Sequence, residues 1–247
     1  MKKAKGFPLG LFIGASLLSL FVLVLAYIIY SVYSGYQEYG YQVADLREPQ
    51  KTQYFFETDI KQIDPFITYQ PDSSTMLRGP VISANDPAIG DIQGKVKMVV
   101  FSDFACHYCQ AVESQAIDAA EVDSEVSFIR KDYPDGGRES ESFQAAAAAR
   151  CAGKQASYWE YHNLLYKYGD YSKNNLIDYA RELDLDVGLF QTCLDSPDII
   201  QSIEDNIEEA NALGITGVPF LYVNDQEVMG DISDKDMERL INIELKD

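Results

Sequence analysis

The stretch Val96-Lys97-Met98-Val99-Val100-Phe101-Ser102-Asp103-Phe104-Ala105-Cys106-His107-Tyr108-Cys109-Gln110 decides how the rest of this chain is read. Its apolar first half reads as a strand, a short turn follows, and two cysteines three apart open an expected helix over 110–122. Strand, turn, Cys-x-x-Cys and helix together build a reactive dithiol. Cys106 falls at the helix N-terminus, where unpaired backbone N–H groups and the positive end of the helix dipole favour thiolate over thiol. Cys109 lies one turn on, beneath Cys106, and is placed to close a disulfide with it. His107 is a second source of positive charge beside the nucleophile, lowering its pKa further.

Other readings of the pair fit less well. A structural zinc usually takes four protein ligands. Only Cys151, Cys193 and His162 remain to complete such a set, and none belongs to a second paired knuckle, so no metal is expected. A haem attachment site requires His directly after the second cysteine, a position held here by Gln110. A purely structural bond across four residues at a helix start is a reducible choice. Redox chemistry is the reading that remains.

Upstream, Lys2, Lys3 and Lys5 precede a stretch from Gly6 to Gln37 without a charged residue. Its core, Leu9–Tyr33, is about 37 Å long at about 1.5 Å per residue, enough to cross a hydrocarbon layer of roughly 30 Å with some tilt. The bulky end Tyr27-Ile28-Ile29-Tyr30 offers no small-residue cleavage site. Residues 1–34 are therefore expected to be a single uncleaved transmembrane anchor with its lysines cytoplasmic and the rest of the chain extracytoplasmic. Tyr27, Tyr30, Tyr33, Tyr36 and Tyr39 read as an interfacial aromatic belt. Residues 35–78, broken by Pro49, Pro65 and Pro71, read as a juxtamembrane linker with one short helix around 52–63.

The folded domain is expected over 79–247. With 20 Lys and Arg against 39 Asp and Glu the net charge is −19. Three of those lysines lie before the anchor, so the exported part is more acidic still. Such a surface argues against nucleic acid or an anionic membrane surface as partner. After the active-site helix come a strand at 125–131 and a turn at 133–137. A block without strand signal follows, with helices near 139–152, 155–168, 173–183, 187–194 and 198–213. Strand character resumes at 218–223, a hairpin leads to 226–229, and Ser233 caps a last helix over 234–245. This order gives an α/β sheet carrying a helical insertion at about 139–213.

These pieces together resemble the DsbA-like thiol:disulfide oxidoreductases, a thioredoxin-fold family. The resemblance runs over roughly 81–246. It rests on Cys106-His107-Tyr108-Cys109 opening the first helix, Asn85–Gly90 before the strand, Ala148-Ala149-Arg150-Cys151-Ala152, Tyr158-Trp159-Glu160-Tyr161-His162 and Gly214-Ile215-Thr216-Gly217-Val218-Pro219. It implies a thioredoxin fold, Cys106 and Cys109 as catalytic residues, and no cofactor. It further implies that Pro219 is cis and lies against the active disulfide, while Val218 offers its backbone to a substrate strand. The family's usual dipeptide is Pro-His; here it is His107-Tyr108, so the direction of electron flow is the open point, and the Tyr108 ring is placed to shape substrate access. Some members carry a second bond in the helical block, which would here be Cys151–Cys193; two separate buried thiols are the alternative. Exported proteins with cysteine thiols are the implied substrates, a quinone-linked membrane protein the implied reoxidant, and a monomer the expected state. Reduction or isomerisation by the same cysteines, and a tethered binding or metal-delivery module, are the competing functions. His162 reads as a packed helix residue, and Asp103 either tunes the dithiol or caps the turn before it.

Overall fold

The computed structural model describes residues 79–246, the backbone of Phe55–Phe56, and Val24, Ala26, Tyr27, Ile29 and Tyr30. The chain divides into two compact units, Met1–Gln50 and Lys51–Asp247. In the first, the five described residues are helical, and Val24, Tyr27, Ile29 and Tyr30 are exposed. The remainder of the expected anchor lies outside the described residues, among which no helix is long and apolar enough to cross a membrane.

The second unit centres on a five-stranded sheet ordered β3-β5-β4-β6-β7. Its strands are β3 (Ala88–Ile89), β4 (Val96–Ser102), β5 (Val126–Asp132), β6 (Phe220–Val223) and β7 (Gln226–Met229). β4 and β5 run parallel in register from Val96↔Val126 to Ser102↔Asp132, while β6 is antiparallel to β4. Among the described residues seven helices accompany them: α1 (His107–Val122), α2 (Glu141–Gly153), α3 (Tyr158–Tyr168), α4 (Lys173–Glu182), α5 (Val187–Leu194), α6 (Pro197–Ala212) and α7 (Asp234–Glu244). β4 reads as a nearly continuous apolar run because both of its faces are covered. Val96, Met98 and Val100 pack on Val112, Ala116 and Ala120 of α1 and on Met237 and Ile241 of α7. The alternate residues Val99 and Phe101 pack with Ile129, Ala210, Ile215 and Tyr222 on the opposite face.

The helical block α2–α6 has its own core. The run Ala145–Ala149 is buried throughout, among Phe143, Tyr161, Leu165, Leu176, Phe190 and Ile203. Small side chains on every face let α2 sit at the centre of this block with α3, α5 and α6 close around it. Ser140 caps α2 by accepting the Phe143 N–H, and Ser233 caps α7 by accepting that of Asp236.

One expectation is corrected, and one short strand is added. Phe55–Phe56, read as part of a short helix, form a strand, β1, in parallel pairing with β2 (Val81–Ile82), so pairing with this unit reaches into the segment read as linker. β3, two residues inside the expected lead-in, adds an antiparallel edge to β5. Pairing partners distant in sequence determine both, and two residues are too few to carry a period.

Candidate active site

Residues 103–106 turn the chain from β4 into α1. The Cys106 N–H donates to the Asp103 carbonyl at 3.1 Å. The Asp103 side chain is buried; one carboxylate oxygen accepts from Ala105 N–H at 2.8 Å and from the Ser142 hydroxyl, the other from Asp135 N–H at 2.9 Å. Asp103 thus caps the turn and ties it to α2 and to the loop after β5. The Tyr171 hydroxyl adds a bond to the Phe104 carbonyl at 2.6 Å. Burial, and then the nearby Asp103 charge, push this phenol up to about 12.

The turn delivers Cys106 to the N-cap of α1, where its sulfur accepts the Cys109 N–H at 3.2 Å. No carboxylate stands in the first turn of this helix, so nothing there opposes a thiolate at its positive end. Cys106 and Cys109 are bonded, with Cα atoms 5.3 Å apart. Cys106 is partly exposed and Cys109 fully buried. An incoming thiolate therefore has access to the first sulfur only. His107 and Tyr108 are both exposed, with their rings edge to face at 5.6 Å. Tyr108 shows 59% of its surface to solvent, so its ring stands out beside the dithiol.

The other wall comes from the far end of the chain. The Val218–Pro219 peptide is cis, and the Val218 carbonyl oxygen lies 3.8 Å from the Cys106 sulfur. The Pro219 carbonyl accepts the Gly230 N–H at 2.8 Å, fixing this loop to the β6–β7 hairpin.

The remaining pair, Cys151 and Cys193, is also bonded, Cα to Cα 5.7 Å, joining α2 to α5 within the core of the helical block. Among the described residues no cysteine is free, and no cluster of three or more His, Cys, Asp or Glu could hold a metal ion.

Beneath α1 lies a group that sequence reasoning missed. Glu113 is fully buried and accepts from Arg130 Nε at 3.1 Å, from the Tyr166 hydroxyl at 2.9 Å and from the Ser102 hydroxyl; His162 Nε2 lies 2.6 Å from its second oxygen. Burial works against its charge, but Arg130, His162 and Ser102 outweigh that cost and hold the carboxyl at about 2. Arg130 also pairs with Asp132, which in turn binds Arg150, and its Cζ lies 4.0 Å from the centre of the Phe104 ring. His162, read as packing, is buried among Phe104, Trp159 and Tyr166 and serves as a partner of Glu113. A signal was present: Glu113 interrupts the apolar face Cys109, Val112, Ala116, Ala120 of α1.

Comparison with known proteins places this arrangement. The thioredoxin family profile matches residues 83–243. A thioredoxin-like oxidoreductase from Silicibacter pomeroyi superposes with a TM-score of 0.60 at 26% identity, over 66% of this chain and 94% of that one. Oxidised BdbD from Bacillus subtilis shares the fold, with a TM-score of 0.57 at 21% identity over 66% and 94% of the two chains. A probable disulfide bond formation protein D from Bacillus cereus is 26% identical over 64% of this chain and 78% of its own. The Na(+)/H(+) antiporter NhaA 1 of Salinispora arenicola is 28% identical over 149 residues, but the chain spans only 23% of that protein's length. The chain belongs to the thioredoxin family; its relatives include proteins named probable disulfide bond formation protein D, and its structural neighbours include thiol-disulfide oxidoreductases.

Proposed function

We propose that this protein is a membrane-tethered, extracytoplasmic oxidase that introduces disulfides into exported proteins through Cys106 and Cys109. The observation that carries the reading is Cys106 itself: partly exposed, at the N-cap of α1, bonded to a buried Cys109 and beside the Val218 carbonyl. A substrate thiolate attacks the Cys106 sulfur, the Cys106–Cys109 bond breaks, and Cys109 leaves and takes up a proton. A second substrate thiolate then attacks the substrate sulfur of the mixed disulfide and expels Cys106. The substrate has lost two electrons and two protons; the electrons remain on the Cys106–Cys109 dithiol. The free N–H groups of α1 stabilise the departing Cys106 thiolate, which drives the exchange toward oxidised substrate.

In this reading the Val218 backbone aligns an extended substrate segment against the dithiol, and the projecting Tyr108 ring shapes access to it. The apolar stretch around Leu9–Tyr33, with Val24, Tyr27, Ile29 and Tyr30 outward, tethers the domain from a cytoplasmic N-terminus. A quinone-linked membrane protein takes up the two electrons. The Cys151–Cys193 bond is structural.

The test pairs two measurements. Cys106→Ser abolishes disulfide exchange, whereas Cys109→Ser accumulates mixed disulfides through Cys106, because the attack of Cys109 on the Cys106 sulfur that releases a bound partner is lost. Equilibration of the wild-type pair in a glutathione series yields an oxidising dithiol. A pair that stays oxidised across that series would sink the oxidase reading in favour of a reductase.

A further inference from the structure

Between α1 and α7 lies a groove that the dithiol chemistry does not use. α1 lines it with a stripe from Ala111 to Val122, and α7 with its C-cap lines it from Asp234 to Leu245. In both stripes the lining positions recur at intervals of three and four residues, so each is one face of a helix about three turns long. Val126 of β5, Met237 and Ile241 lie deepest and are buried. The groove holds about 650 Å³. Val122 stands at its edge with 88% of its surface exposed, the most exposed large apolar side chain among the described residues.

The charge around the groove has one sign. Asp118 and Asp123 line it from the α1 side and Asp234 and Glu238 from α7, while no Lys, Arg or His lines it among the described residues. Cations on neighbouring segments are engaged elsewhere: Lys95 Nζ donates to the Leu245 carbonyl at 2.6 Å, and Arg239 pairs with Asp236. One acceptor in the wall is unmet. Gln115 donates through Nε2 to the Ile232 carbonyl at 3.1 Å, but its Oε1 is buried without a hydrogen-bond partner. A buried acceptor left in that state costs stability, and a donor entering the groove would satisfy it.

Shape and charge together select the occupant. Two helices side by side offer rows of side chains between which a third helix packs. Both walls are helical, so an extended segment finds no strand edge to pair with. An anionic lipid surface meets four carboxylates and is repelled. A second copy docked by two-fold symmetry sets the same carboxylates against themselves. We propose that the groove docks an amphipathic helix of a partner protein, with an apolar stripe laid over Met237, Ile241 and Val126 and with Lys or Arg on both flanks. The basic flanks pair with Asp118, Asp123, Asp234 and Glu238, and a donor on the helix meets Gln115 Oε1. The groove starts beyond Cys109 on α1 and runs away from the dithiol, so a helix seated there holds a partner to the domain by contacts separate from disulfide exchange.

The test uses the full chain in bilayer discs of zwitterionic lipid, titrated against a fluorescent helical peptide of about four turns with Leu at every third and fourth position and Lys on both flanks. Anisotropy is read against discs without protein. One control peptide is a scramble of equal composition and another carries Glu in place of Lys. The ordered Lys peptide should bind about ten-fold tighter than the scramble, which cannot bury its Leu side chains together, and than the Glu peptide, which meets like charge. Asp118→Lys/Glu238→Lys, at two exposed positions, should reverse the preference between the Lys and Glu peptides. Val122→Ser should weaken the ordered peptide and leave the scramble unchanged. Disulfide exchange with glutathione should be the same in every variant, which shows that each is folded. Equal binding of ordered and scrambled peptides would reduce the effect to the protein's general negative charge and overturn the proposal, as would indifference to these substitutions. A concentration-dependent dimer abolished by Val122→Ser would assign the groove to a second copy, and binding to anionic vesicles abolished by it would assign the groove to lipid. Either result overturns the partner helix.

Discussion

Removing the Cys151–Cys193 bond tests the structural role assigned to it. The bond closes a loop between residues 42 positions apart and ties α2 to α5. On the chain-entropy relation, a loop of this length restricts the unfolded ensemble by about 13 cal/mol/K, or about 4 kcal/mol at 25 °C. Cys151 is fully buried in the helical core, so the Cys151→Ala/Cys193→Ala variant also loses some packing and the loss should not fall below that figure by much. Urea unfolding followed by far-ultraviolet circular dichroism should show the midpoint falling and the slope rising slightly, since an uncrosslinked unfolded chain exposes more surface. Thermal unfolding should come about 10 °C earlier. The glutathione equilibrium of Cys106 and Cys109 should stay within two-fold, because the second bond lies inside the helical block. A stability loss below about 1 kcal/mol, or a ten-fold change in the redox equilibrium, would refute the reasoning.

Three further outcomes follow from the site. His107→Ala should raise the Cys106 pKa and make the disulfide a weaker oxidant; a wild-type Cys106 pKa near the free-thiol value of roughly 8.5 would contradict the oxidase reading. Asp103→Asn leaves one acceptor oxygen where three donors converge; stability should drop by about 1–3 kcal/mol and exchange with a model thiol should slow, and a variant matching wild type in both would show that the clamp is dispensable. Glu113 is held at about 2 against 4.5 for a free carboxyl, so its contribution is complete above about pH 4.5 and is lost as pH falls toward 2. About 3 kcal/mol of stability should disappear across that window, and urea midpoints between pH 6 and 3 should lose part of that slope in Glu113→Gln.

How much of this was legible can be traced residue by residue. The run Val96–Phe101 and the paired cysteines identified the central strand and the dithiol helix because burial on both faces and a helix start leave local marks. The helical block was readable from its starts and stops, Ser196-Pro197-Asp198, Gly169 and Gly214 among them. The cis Val218–Pro219 peptide left no local mark; its expectation came entirely from family resemblance. Arg130, Lys131 and Asp132 look like the polar end of a strand, yet all are buried. β5 lies between β3 and β4 with helices against it, and their partners Glu113, Asp86, Glu209 and Arg150 come from four separate stretches. Pairings of that kind are fixed by the tertiary fold, and a one-dimensional pattern does not carry them.

The 112 positions between Cys106 and Val218 have a consequence for the newborn chain. Polypeptides emerge N-terminus first, so β4, the dithiol helix and the whole helical block are outside before residues 218–229 arrive. Until then β4 lacks β6 along one edge, and the loop that stands beside the reactive sulfur does not exist. Residues 218–229 complete the site, and a chain released before they are made carries its sulfurs without the wall that stands beside them.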